Sequence, residues 1–195
     1  MGPSGRYFYR TSDGSDDRLR YFRSVNAEES DADDILILNL NEYELKAMSL
    51  SVDESFLAYL ISSVESLHDT ELWVKDLRSK NTLLVPTKGK NLALVEWGPL
   101  QENEMHSLFF TSTDDWNRPN AVFACAISDT AISEPVQVYH NSDEAVIVDV
   151  QRIKGWQCVA IAASAKTSNE IYLMSDISQP PLRSTFSPSR YLISS

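Results

Sequence analysis

A step of about fifty residues runs through this chain. Glu71-Leu72-Trp73, Ala121-Val122-Phe123 and Glu170-Ile171-Tyr172 recur at offsets of 50 and 49. The apolar runs ahead of them keep the same step, as Phe56-Leu57-Ala58-Tyr59-Leu60, Ser107-Leu108-Phe109-Phe110 and Gln157-Cys158-Val159-Ala160. Each unit holds four short strand-like runs. A lone four-stranded sheet cannot bury both of its faces, so repeated units of this kind must stack on one another. The reading is an all-β chain, a partial β-propeller of about three four-stranded blades. A closed ring needs four to eight blades, so three imply a piece of something larger.

Along the chain, residues 1–5 read as leader or appended residues without structural weight, and 6–44 as an N-terminal hairpin with an acidic connection. Arg6-Tyr7-Phe8-Tyr9-Arg10 and Leu19-Arg20-Tyr21-Phe22-Arg23 flank a Gly/Asp-rich turn, the pattern of a hairpin. Residues 28–34 are acidic, with no large apolar side chain, and read as a solvated loop. Ile35-Leu36-Ile37-Leu38 is either a short strand or the start of another apolar element; periodicity cannot decide over so few residues. The blades span about 45–86, 91–140 and 145–186. Residues 45–195 are thus propeller, and the final apolar run, Tyr191-Leu192-Ile193, reads as a cut within the following blade. An open arc exposes a blade face at each end, which favours self-association unless capped.

Composition narrows the partners. Twenty-eight acidic against seventeen basic residues give a formal net charge of -11, which disfavours nucleic acid and anionic membrane surfaces. Cys125 and Cys158 sit in apolar runs at a spacing that matches no zinc or thioredoxin-like motif, so both are expected as buried thiols. The chain shows no apolar signal segment, no apolar stretch near 18 residues and no Asn-x-Ser/Thr acceptor, a combination that predicts a cytoplasmic location.

Chemistry is sparse. No Gly-x-Ser-x-Gly elbow occurs, and His68, His106 and His140 fall in three separate connections, each read as a surface loop histidine. The expectation is no catalytic residue, no metal ligand and no cofactor-binding residue. His-x-His, His-Glu-x-x-His and paired-cysteine motifs are missing, and the six glycines form no phosphate-cradling loop. Of the four tryptophans, Trp73 sits mid-strand where later units carry Phe123 and Tyr172, which predicts packing between blades. Trp116 lies in a polar connection. With Asp114, Asp115 and Arg118 it forms the candidate for a rim or interdomain contact.

The same stretch carries a family likeness. Leu108-Phe109-Phe110-Thr111-Ser112-Thr113-Asp114-Asp115-Trp116-Asn117-Arg118-Pro119 resembles the blade connection of prolyl oligopeptidase-family serine peptidases, with Asn117 where a His-Arg-Pro turn usually has histidine. Phe56-Leu57-Ala58-Tyr59 with Leu72-Trp73-Val74-Lys75-Asp76-Leu77 is similar to the preceding blade. Ala165-Lys166-Thr167-Ser168-Asn169-Glu170-Ile171 resembles a Ser-Lys-Thr-Thr-Ser-Glu-Val run of the next, pointing to oligopeptidase B, also called protease II, and prolyl-endopeptidase-like relatives. The opening Tyr7-Phe8-Tyr9-Arg10 fits that branch. Ser51-Val52-Asp53-Glu54 departs from the Ser-Pro-Asp turn common in family blades.

This resemblance implies a seven-bladed propeller over an α/β-hydrolase domain that holds the Ser-Asp-His triad. It implies a propeller that limits access of short peptides, and cleavage after Arg or Lys. The partners so implied are a short peptide substrate and the chain's own C-terminal hydrolase domain, and the chain alone is expected to be inactive. A non-enzymatic binding or scaffold propeller is the alternative function, and a self-contained β-sandwich the alternative fold.

Overall fold

The computed structural model describes residues 8–13, 19–24, 35–39, 43–63, 69–100, 105–153, 157–175 and 177–183. All regular structure among them is strand. Phe8–Asp13 (β1), Leu19–Ser24 (β2) and Ile35–Asn39 (β3) form a three-stranded antiparallel sheet. The hairpin expected at the start is present, with Phe8 opposite Ser24 and Asp13 opposite Leu19. The ambiguous run after it is a strand, paired with β2. The acidic stretch 28–34, His68, Trp156 and the closing run 191–193 lie outside the described residues.

Three four-stranded antiparallel meanders follow, each in simple sequence order. The first is Tyr43–Leu50 (β4), Phe56–Ser63 (β5), Thr70–Asp76 (β6) and Thr82–Leu84 (β7). The second is Leu92–Leu100 (β8), His106–Thr113 (β9), Pro119–Ile127 (β10) and Val136–His140 (β11). The third is Ile147–Arg152 (β12), Val159–Ser164 (β13), Asn169–Met174 (β14) and Leu182–Arg183 (β15). The first strands β4, β8 and β12 lie side by side, so consecutive sheets stack face to face along one line of inner strands. This is a partial β-propeller of three blades, with neither a closed barrel nor a two-sheet sandwich.

Side-chain alternation explains the stacking, since successive residues of a strand point to opposite faces. Even-numbered residues Phe56, Ala58 and Leu60 of β5 and Leu72 and Val74 of β6 meet Val95, Trp97, Leu108, Phe110, Phe123 and Cys125 of the second blade in one cluster. Phe109, Val122 and Ala124 use the opposite face of that blade, meeting Val148, Val150, Val159, Ile161 and Met174 of the third. The middle blade is therefore buried on both faces, as the unbroken burial of β9 and β10 records. In the third blade burial alternates instead. Its far face leaves Ile147, Ile171 and Leu182 exposed.

The three matched aromatics occupy equivalent places. Trp73 pairs with Tyr59, Phe123 with Phe110 and Tyr172 with Ile161, each on its blade's preceding side. Phe123 stacks on Phe110 at 5.8 Å, whereas half-buried Trp73 borders the cluster of Leu57, Tyr59, Ile61 and Leu77 on the first blade's outer side. Both cysteines are buried free thiols, and burial pushes Cys125 up to about 12.

Candidate functional site

At one end of the sheets, the β4–β5 turn meets the start of β9. Ser51 closes that turn twice: its Oγ donates to Asp53 Oδ1 (2.7 Å) and accepts from the Phe56 N–H (3.0 Å). Glu54 takes a left-handed φ of 58° to complete the reversal. His106 then reaches the turn from the second blade, with Nε2 at 3.0 Å from Asp53 Oδ1 and 3.4 Å from Ser55 Oγ. The sequence reading of His106 as a surface loop histidine is corrected here. It is the first residue of β9, only 7% exposed, and wedged edge-on against Phe56 and Trp97. The physical reason is that the blade stack closes over it. His140, at the end of β11, is exposed.

A serine, a histidine and an aspartate so close invite comparison with a nucleophilic triad. A triad needs the serine on one ring nitrogen and the acid on the other, so that one takes the proton while the other is steadied. Here both partners meet Nε2, and the buried Nδ1 has no hydrogen-bond partner among the described residues. The cluster is a tie between blades rather than a proton relay. Burial pushes the Asp53 carboxyl up, but hydrogen bonds from Ser55, Ser51 and His106 outweigh this and hold it well below the usual carboxylate range. Trp97 adds a second tie: its buried indole N–H donates to the Ser49 carbonyl of β4 at 2.9 Å.

The opposite end carries the predicted contact loop between β9 and β10. Asp114 Oδ1 accepts from the backbone N–H groups of Trp116 (2.9 Å) and Arg118 (3.0 Å), and its Oδ2 accepts from Arg118 Nε and Nη2. Asn117 adopts a φ of 59°, and Arg118 Nη1 donates to the Glu144 carbonyl, so the loop is fastened at its base. The Arg118 N–H outweighs desolvation and, with the Trp116 N–H and the guanidinium, lowers the Asp114 carboxyl. Asp114 and Arg118 are thus joined to each other. Asp115 faces solvent, and Trp116 stands 74% exposed.

Beside this loop lies a cavity of about 440 Å³ lined by Lys46, Thr70, Asn91, Thr113 and Asn117. A second, of about 350 Å³, adjoins it across Thr70 and Asn91 and runs under Pro86 to Lys90. Sequence reasoning missed both. The first is lined by the bulged stretches of both inner strands, visible only once pairing partners are known. Among the described residues no group of three or more His, Cys, Asp or Glu is placed to hold a metal ion, and no helix is long and apolar enough to cross a membrane.

No protein-family model matches the chain, and no curated protein matches it. Solved structures do. Oligopeptidase B from Leishmania major superposes with a TM-score of 0.70 at 15% identity, covering 92% of this chain and 26% of that one. Oligopeptidase B from Trypanosoma brucei, in a closed form with covalently bound antipain, gives 0.66 at 18% over 92% and 26%. A structure from work on two prolyl endopeptidases and their inter-domain dynamics gives 0.58 at 10% over 91% and 29%. TolB from Acinetobacter baumannii gives 0.56 at 12% over 94% and 41%. The chain therefore spans about a quarter of the length of the oligopeptidases it resembles, and at these identities the likeness establishes a shared fold: three consecutive propeller blades preceded by a small sheet.

Proposed function

We propose that this chain is the N-terminal propeller part of an oligopeptidase B-like serine endopeptidase, non-catalytic by itself. In that role it limits access of short Arg- or Lys-containing peptides to a separate α/β-hydrolase domain. The observation that carries this reading is the continuous match of nearly the whole chain to one region of oligopeptidase B. The sequence motif around Thr113 resembles the wider prolyl oligopeptidase family, and that around Lys166 points to the oligopeptidase B branch. A stacked-sheet wall would contribute by excluding folded proteins and by holding a peptide still, while bond cleavage proceeds elsewhere. The exposed Trp116, with Asp114, Asp115 and Arg118, supplies a rigid contact for the hydrolase domain at the propeller rim. A cytoplasmic location belongs to the same proposal.

The test is capture of the natural protein with an antibody raised against this chain, followed by labelling with a fluorophosphonate probe for active serines. The expected result is a labelled polypeptide several times heavier than the 22.0 kDa of this chain. A captured protein that the probe never labels would contradict it. A second reading is a binding or scaffold propeller with no peptidase partner; the match to TolB, which is not named as a peptidase, is compatible with it. An unlabelled protein retained with a stable binding partner would support that one.

A further inference from the structure

The cavity beside the β9–β10 loop lies where both inner strands are distorted in the same way. In β4, Leu45 faces Ile61 and Ala47 faces Leu60, so Lys46 is the extra residue of a bulge. In β8, Leu92 faces Ser112 and Val95 faces Phe110, which again leaves one residue too many. The corresponding strand β12 pairs with β13 without interruption from Ile147 to Arg152. Bulges re-aim side chains and gather near binding sites. Here they open the cavity between the first two blades and place Lys46 on its wall.

Its lining is rich in donors. Lys46 is the one charged side chain among the described lining residues, in a chain of net charge -11. Its ammonium has three donors, of which exposed Glu44 takes one at 2.9 Å. The Thr70 hydroxyl oxygen accepts from the Leu92 N–H at 2.7 Å, leaving its own proton to donate elsewhere. Asn91 and Asn117 add side-chain amides, whereas Thr113 Oγ1 is itself buried, with no hydrogen-bond partner among the described residues. Asn117 is held in its left-handed turn by the Asp114 carbonyl, so the wall is fixed before any ligand arrives. An ammonium ringed by hydroxyl and amide donors suits a carboxylate, whose two oxygens accept several hydrogen bonds at once.

We propose that this cavity is a carboxylate-binding site, occupied by the carboxylate of a short peptide. The choice of a peptide rests on the functional reading above; the choice of a carboxylate rests on the lining alone. Two sources share that chemistry, a peptide's C-terminus and an acidic side chain.

The experiment titrates the isotopically labelled chain, at millimolar peptide, with N-acetyl-Gly-Gly-Arg as free acid, with its C-terminal amide, and with N-acetyl-Gly-Glu-Gly amide. The expected result is that an acid-bearing peptide shifts the backbone amides of Leu92, Ala93 and Asn117 while the neutral amide does not. Binding of the free acid alone identifies the C-terminus as the source, and binding of the Glu peptide alone identifies the side chain. Lys46→Met should weaken binding by about tenfold. Glu44→Gln removes the competing carboxylate charge beside Lys46 and should tighten binding by roughly threefold, a gain that misfolding would not produce. Equal binding of acid and amide, no shifts at these residues with any peptide, or unchanged affinity in Lys46→Met would overturn the proposal. Fluorophosphonate labelling of the natural protein is scored separately, so carboxylate binding with no label would sink the peptidase reading and leave this site standing.

Discussion

The junction between the first and second blades buries the larger apolar cluster, that between the second and third the smaller, and the two are held differently. The first is laced by directional contacts: Trp97 Nε1 to Ser49, His106 to Asp53 and Ser55, Ser49 Oγ to Glu96, and Arg78 to Asp129 at the surface. The second is chiefly oil, with Val148, Val150, Val159, Ile161 and Met174 laid against Phe109, Val122 and Ala124, and the Tyr139 and Tyr172 rings 4.9 Å apart. Nonpolar burial sets how strongly two sheets adhere, whereas hydrogen bonds set how they are registered. The laced junction is also the one with bulged inner strands and a polar cavity.

Truncations should separate the two modes, and each can be read by urea denaturation followed by fluorescence and circular dichroism. Trp97→Ala removes the largest fully buried side chain and strands the Ser49 carbonyl, so it should cost about 3–5 kcal/mol. Ile161→Ala, at the apolar junction, should cost roughly 3 kcal/mol with no polar group left unpaired. Equal costs with equal pH dependence would erase the contrast. Gly98→Ala tests closeness instead of polarity. A Cβ there would lie 2.5 Å from Ser107 Oγ and 2.6 Å from Phe109 Cε2, and overpacking of that kind costs roughly 2 kcal/mol.

Asp53→Asn should cost roughly 1.5 kcal/mol at neutral pH. The sign with pH follows from its lowered carboxyl. Its stabilisation is complete above the unfolded value of about 3.9 and disappears as pH falls through the lowered folded-state value. The variant should therefore show a flatter loss of stability below about pH 4 than the parent. Arg78→Ala, which breaks an exposed pair with Asp129, should change stability by less than about 1 kcal/mol and less still in high salt.

The fifty-residue step made the blades legible, because a repeat carries strand order as well as strand content. The equivalence of Trp73, Phe123 and Tyr172 holds in strand register for the same reason, but the packing between blades expected of Trp73 does not: among the described residues it borders only first-blade side chains, because no described sheet covers that face. Gly98-Pro99 is a turn signal in sequence, yet a bulge carries β8 through it to Leu100. His106 was misread because its neighbours in sequence say nothing of a partner 53 residues away. Trp97 gave no cue that distinguished it from the other tryptophans, although it is wholly buried. The connection around Trp116 was legible from its polar composition, and Trp116 is exposed there. The cavity beside it was not legible, because a lysine is aimed by strand register and not by its own side chain.

The most direct test is native-state amide and indole hydrogen exchange of the intact chain, with and without Asp53→Asn. The account predicts that the Trp97 indole and the Phe56 and Leu77 amides exchange about tenfold faster in the variant while β13 and β14 keep their protection. Unchanged exchange at Trp97 and Phe56, or a larger loss of protection in β13 and β14, would contradict it.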